Sequence, residues 1–269
     1  MTVIISHSDS DGLICVALAL QKLKNLKPSL FFSSNLKLKD VICSSIIGRK
    51  NLDELYIFDI SPNNLTLKLA SAYERVVWID HHLLSRGLKV PENIELVIDE
   101  KAPSASQIVA NYFNVESKLV DIANQIDRNN ITSEDARFLR DLISSLKWKF
   151  KGKGILPKLR NMAKILATKG LEFFEKNERY VNLLNQYRSW IKNLMDEVER
   201  KISVLEVKGK KIAVYEGTSG VPMFLLTERL KNHEKAPFDI IALLLHQVEG
   251  SSLITKIELR THTNEEVYQ

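Results

Sequence analysis

The chain has 269 residues, 45% hydrophobic and 26% charged, a composition that excludes a disordered or low-complexity chain and allows one domain or two modest ones. Its 38 basic and 33 acidic residues leave a formal net charge of +5, an excess compatible with a polyanionic partner but too small to require one. Two cysteines, Cys15 and Cys43, are too few for a disulfide framework or a thiolate metal site, and they read as small core residues in a reducing compartment.

Residues 3–6 form a short apolar run that leads into His7-Ser8-Asp9-Ser10-Asp11-Gly12 and then into the Leu- and Ala-rich stretch 13–26. This predicts strand, polar turn and helix, with Gly12 letting the backbone make the turn. The N-terminus becomes polar too soon for a signal peptide, and no apolar stretch has the length of a bilayer span, so a cytoplasmic protein is expected. Residues 30–33 predict a second strand and 39–47 a second helix. Residues 54–60 predict a strand carrying Asp59 near its end, and 63–73 a helix opened by Ser61-Pro62.

Residues 75–79 mix β-branched and aromatic side chains and stop at Asp80-His81-His82, the pattern of a buried strand delivering polar groups to a cleft. A strand over 94–98 follows, then a helix capped by Pro103-Ser104-Ala105-Ser106 and running to Tyr112. Strands alternating with helices predict an α/β fold built on a parallel, doubly wound sheet, with its ligand cleft beyond the carboxyl ends of the strands. His7, Asp9, Asp11, Asp59, Asp80 and His81 would gather there.

Residues 116–146 are helical in pattern, with Leu119, Ile122, Ala123 and Ile126 on one face and Asp127-Arg128-Asn129 at the polar end. The stretch Lys147-Trp148-Lys149-Phe150-Lys151-Gly152-Lys153-Gly154 interrupts the pattern. It reads either as a solvated linker with two aromatic anchors or as a guide for a single strand by charge and stacking. A second helical region spans 157–200, where Leu184, Tyr187, Ile191, Leu194 and Val198 form a stripe that must face a core. Strands over 202–207, 211–215, 239–245 and 253–259, with a helix over 222–230, predict a smaller α/β domain. The expected division is a catalytic domain over 1–146, a helical linker over 147–200 and a second domain over 201–269.

The strand ends supply carboxylates and imidazoles without thiolates, a ligand set that suits manganese, with magnesium, cobalt or zinc as substitutes. Two metals sharing a bridging carboxylate, ~3.5–4 Å apart, activate a water and neutralise a phosphoryl group undergoing in-line displacement. Phosphoester hydrolysis is the natural reading.

His7-Ser8-Asp9-Ser10-Asp11-Gly12, Phe58-Asp59-Ile60-Ser61 and Ile79-Asp80-His81-His82 resemble, in order and spacing, the first three motifs of the DHH phosphoesterase superfamily, over at least residues 3–127. The resemblance implies a two-manganese phosphodiesterase or exonuclease whose sheet domain carries the metals and whose mobile C-terminal domain binds substrate. It implies that His7 and Asp9 bind one metal, that Asp11 and His81 bind the other, and that Asp59 bridges them. Asp127 matches the acid of the fourth motif, with Asp121 as the competing position. Asp80 would orient the ligands, and His82 would contact the scissile phosphate or assist the leaving group. His7 stands two residues before Asp9, as in RecJ-like and archaeal-type members, where several dinucleotide-cleaving members place the histidine four before.

The last segment resembles the DHH-associated C-terminal domain, with Ile257-Glu258-Leu259-Arg260-Thr261 matching its strand ending in a substrate-facing arginine. The Gly-rich, His-containing loop that follows in relatives is expected to be missing. Ser104 and Ser106 would offer hydroxyls and a helix N-terminus to a phosphate, or only cap their helix. His233, His246 and His262 show no ligand spacing and are expected to be structural or solvent-facing.

Three functions fit this reading. The first is a phosphodiesterase with two Mn²⁺, or Mg²⁺ or Co²⁺ in their place, acting on short oligonucleotides or on linear or cyclic dinucleotides. The second is a RecJ-like exonuclease on single-stranded nucleic acid, linked to replication or repair. The third is a non-catalytic scaffold of the same fold. The expected associations are a nucleic-acid substrate, no membrane, and either a second copy or a replication or repair protein.

Overall fold

The computed structural model describes residues 1–150, 152–217, 221–230, 233–249 and 252–261. Its chain divides into two compact units, Met1–Tyr187 and Arg188–Gln269.

The first unit is built on β1 (Thr2–His7), β2 (Ser29–Ser33), β3 (Glu54–Phe58), β4 (Arg75–Asp80) and β5 (Ile94–Ile98), with α1 (Ser10–Leu23), α2 (Leu38–Ile46), α3 (Asn64–Ala70) and α4 (Ala105–Phe113) between and after them. All neighbouring strands are parallel, in the order β2-β1-β3-β4-β5. The central strands read as unbroken apolar runs because both of their faces are buried. Successive side chains point to opposite faces. Ile4, Tyr56, Phe58, Val77 and Ile79 therefore join one core with α1 and α4. Val3, Ile5, Leu55, Ile57, Val76 and Trp78 join another with Leu38 and Ile42 of α2 and Leu67 of α3. The sheet is doubly wound, and its strand order reverses between β1 and β3, the place where a ligand crevice opens beyond the carboxyl ends.

The unit continues through α5 (Lys118–Asp127), α6 (Glu134–Lys149), α7 (Leu156–Lys169), α8 (Glu172–Glu175) and the start of α9 (Glu178–Lys201). Leu159, Met162 and Leu166 of α7 and Phe174 of α8 belong to the same core as α1. The first unit thus extends beyond residue 146, because Leu159, Met162, Leu166 and Phe174 of the segment expected to be a linker are buried in its core. α1 is buried on nearly all sides, as suits a helix lacking a polar stripe. Cys15 is buried within it, whereas Cys43, expected in the core, is only partly buried.

The second unit contains the end of α9, β6 (Ser203–Val207), β7 (Lys210–Gly217), α10 (Met223–Leu230), β8 (Ile240–Glu249) and β9 (Ser252–Thr261). Its sheet has the order β6-β7-β8-β9, with β7 parallel to β8 and the outer pairs antiparallel. Leu194 and Val198 of the α9 stripe pack there against Tyr215, Phe238 and Leu243. No described helix is long and apolar enough to cross a membrane.

Candidate metal centre

The end of β1 turns directly into α1. Asp9 caps the helix by accepting from the Gly12 N–H at 3.0 Å, and its other oxygen lies 2.6 Å from His7 Nδ1. Ser6 Oγ donates to the Gly12 carbonyl at 2.7 Å. A Cβ on Gly12 would stand 2.3 Å from the His7 carbonyl oxygen. Gly12 is therefore required by close approach inside α1, not by the turn expected from sequence. Burial pushes the Asp9 carboxyl up, but the His7 bond and charge and the Gly12 N–H outweigh it and hold the pKa at about 2.

Asp11 points into the interior. Its Oδ2 accepts from the Ala105 N–H at 2.7 Å and its Oδ1 from the Ser106 N–H at 3.0 Å, while Ser106 Oγ donates to the Asp11 carbonyl. The N-terminus of α4, anticipated as a phosphate cradle, instead holds an internal carboxylate, which its exposed N–H groups and dipole favour. Burial still raises Asp11 to about 7, against the Ser106 bonds and with the help of the charges on Asp9 and Asp127. Ser104, expected to face substrate, is fully buried. Its hydroxyl accepts from the Gln107 N–H and donates to Asn124 Oδ1 at 2.7 Å, so it is a helix cap.

Asp59 follows β3 in the left-handed region, at φ +58°, a conformation that aspartate tolerates better than most residues. Its N–H donates to the Ile79 carbonyl at 2.9 Å, and the Trp78 indole donates to the Ile60 carbonyl at 2.6 Å, so β4 fixes the turn. Asp59 is 3% exposed. Burial pushes its carboxyl well above the usual range, reinforced by Asp9, Asp11, Asp80 and Asp127.

His81 Nε2 lies 3.8 Å from Asp59 Oδ1 and 3.4 Å from Asp127 Oδ2, and His7 Nδ1 lies 3.7 Å from Asp59 Oδ2. Two groups have ligand atoms within 4.8 Å of one another: His7 with Asp9 and Asp59, and Asp11 with His81 and Asp127. A third unites Asp59 with Asp80, His81 and His82. Burial raises the Asp127 carboxyl, partly offset by His81. Asp121 is exposed and accepts from Gln125 Nε2. Among the described residues it joins no such group.

Asp80 is completely buried. It accepts from the His81 N–H at 2.9 Å, from His82 Nδ1 at 2.7 Å and from Ser61 Oγ at 3.2 Å. The hydrogen bond to Asp80 raises the His82 pKa against partial burial. Ser61, at the end of the second motif, was not singled out by sequence. Lys147, at the end of α6, places its charge close enough to act on Asp9, a role hidden within a run of lysines.

Arg260 lies in the second unit, exposed on β9 opposite Ile241. His233 accepts from the Lys235 N–H and packs beside Phe238. His246 bridges Glu216 and Thr255 across the sheet. His262 and the segment after Thr261, where the Gly-rich loop was sought, lie outside the described residues.

The donor set fits divalent cations. It offers imidazole nitrogens and carboxylate oxygens, and Asp59 Oδ2 and His81 Nε2 are buried without a hydrogen-bond partner. Asp59 stands between the two ligand groups, in reach of both histidines.

No family model matches the chain, and no curated protein matches it. Solved structures do. The pGpG-specific phosphodiesterase PggH from Vibrio cholerae is 13% identical, with TM-score 0.56 over 91% of this chain and 78% of its own. The exonuclease RecJ bound to manganese is 15% identical, with TM-score 0.52 over 90% of this chain and 74% of its own. An exopolyphosphatase-related protein from Bacteroides fragilis is 14% identical, with TM-score 0.52 over 97% and 79%. At these identities the likeness is one of fold, and it spans 90% or more of the chain, beyond the residues that carry the three short motifs.

Proposed function

We propose that the protein is a manganese-dependent phosphodiesterase that hydrolyses short oligonucleotides or linear or cyclic dinucleotides. The observation that carries this reading is the pair of ligand groups meeting at Asp59, with buried polar atoms left unpartnered between them.

His7 and Asp9 would hold one ion, Asp11, His81 and Asp127 the other, with Asp59 shared. Bound there, two divalent ions supply an activated water and neutralise charge developing on the phosphoryl oxygens. The chain's own groups do the rest. The α4 N-terminus fixes Asp11, and the Gly12 N–H and His7 fix Asp9, so the ligands need little reorganisation. Asp80, buried and accepting from His82 Nδ1, keeps that imidazole protonated to higher pH, ready to donate to a phosphate oxygen or a leaving oxygen. Asp80 acts as the positioning residue and His82 as the group that meets substrate. Arg260, exposed on β9, is proposed as a substrate-binding residue.

Exonuclease action on longer single strands is the second reading, favoured by the likeness in fold to RecJ. The test is incubation of the full chain and Mn²⁺ with dinucleotides, cyclic dinucleotides and end-labelled strands. Mononucleotides from the short substrates support the proposal. Processive ladders from the long ones with slow cleavage of dinucleotides favour the exonuclease, and cleavage of none contradicts both and restores a scaffold role.

A further inference from the structure

A cavity lies in the first unit, lined by the end of α6, the start of α7 and the first turns of α9. At about 510 Å³ it has the size of a small-molecule site. Among the described residues, the cations Lys149, Lys158 and Arg179 line it and no carboxylate does. Folded surfaces ordinarily intersperse the two signs, so this cavity favours an anion.

The rest of the lining is more specific. Phe150 and Tyr180 contribute rings. Tyr180 stands edge-on to the buried Phe174, with centroids 4.9 Å apart, which fixes its plane. Lys158 Nζ lies 4.9 Å from the Phe150 centroid, so an ammonium is held over one ring. Asn161, Asn182 and Gln186 add amides that both donate and accept. A bare inorganic anion would leave the rings and amides unused, and an apolar ligand would leave three cations facing oil. A nucleotide uses all three: its phosphate meets the cations, its base stacks, and the base edge pairs with amides.

Position ties the cavity to the metal centre. Lys149, which lines the cavity, lies in the last turn of α6, the helix whose Leu139, Leu142 and Leu146 pack in the same core as α1. Leu146, which also lines the cavity, belongs to the core that α1 shares, and α1 begins at the cap formed by Asp9.

We propose that this cavity is a nucleotide subsite, binding the base and phosphate of a substrate nucleotide beyond the one whose phosphodiester is cleaved. The assignment rests on the phosphodiesterase reading for its link to catalysis, but not for its ligand chemistry. It gives Lys149 and Phe150 of the basic stretch a role in recognising single strands, in place of a solvated linker.

The test is fluorescence anisotropy with the full chain in EDTA and a 3′-labelled four-nucleotide DNA strand as probe, comparing wild type with the double variant K149A/R179A and with Y180L. Both variant cations are exposed, and unchanged melting temperature verifies the fold. Affinity should fall roughly tenfold or more in the double variant and severalfold in Y180L, the scale of lost phosphate and stacking contacts. An abasic strand of equal length should bind wild type more weakly than the normal one. Equal binding by wild type and the double variant overturns the subsite, as does equal binding of the abasic strand. Hydrolysis with Mn²⁺ is scored separately. A wild type that cleaves while variant affinity is unchanged sinks the subsite alone, and a wild type that never cleaves but shows the predicted binding losses sinks the catalytic reading alone.

Discussion

Asp59 Oδ1 lies 3.8 Å from His81 Nε2, and that nitrogen and Asp59 Oδ2 are both buried with no hydrogen-bond partner. An unsatisfied buried polar group costs about 1–3 kcal/mol, so a cation reaching both residues relieves a standing penalty. Mn²⁺ should therefore raise the melting temperature of the metal-free protein, by the equivalent of about 2.7 kcal/mol for each ion at a hundredfold excess over its Kd. EDTA should reverse the shift. A melting curve indifferent to Mn²⁺ would contradict this.

That stabilisation should depend on pH. The Asp11 carboxyl is raised to about 7 and Asp59 is raised well above the usual range, whereas unfolded aspartate titrates near 3.9. Between these limits the metal-free folded chain binds protons that the unfolded chain does not. Its stability from these groups is full below the unfolded pKa and is lost as pH rises through about 7. Metal needs the ionised carboxylates, so it binds more tightly as pH rises. The Mn²⁺-induced rise in melting temperature should be small at pH 5 and large at pH 8. A shift that is flat across this range, or larger at pH 5, would go against the assignment.

Asp80→Asn tests the role of Asp80 as a positioning residue. The buried carboxylate accepts from His81, His82 and Ser61 at once, whereas an amide offers one accepting oxygen and brings an N–H₂ against donors. The His82 pKa, followed by NMR, should fall, and activity should drop about 10–100-fold, as for outer-shell partners elsewhere. An unmoved His82 titration would remove Asp80 from the mechanism.

Gly12→Ala tests the join between β1 and α1. The new Cβ would stand 2.3 Å from the His7 carbonyl oxygen, a backbone atom with little room to yield. Destabilisation of roughly 1–3 kcal/mol is expected, together with weaker Mn²⁺ binding as His7 and Asp9 shift. A variant as stable as wild type would mean that this contact relaxes freely.

Much of this was legible in the residues. Unbroken apolar runs such as Val76-Val77-Trp78-Ile79 announced strands buried on both faces, and their polar ends marked the cleft. Sequence could not show that Asp11 would dock on the N-terminus of α4, because the contact joins residues 94 and 95 positions apart. For the same reason the sequence left Ser104 open as a phosphate contact or a helix cap, and its hydroxyl closes the helix and meets Asn124. The stripe from Leu184 to Val198 predicted burial but named no partner: Leu194 and Val198 pack in the second unit, whereas α7, for which no stripe was read, packs in the first core. Gly12 was correctly marked as special, but the reason is crowding against His7.

The central claim is that Asp59 joins two metal positions at which a phosphodiester is cleaved. Asp59→Asn is the fitting variant, because asparagine tolerates the +58° φ that alanine does not. The decisive measurement is the rate of dinucleotide hydrolysis with saturating Mn²⁺ in wild type and in this variant, both verified as folded. The prediction is cleavage by wild type and a loss of more than about 100-fold in Asp59→Asn, beyond the usual effect of an outer-shell change. Equal rates in the two proteins would contradict the account.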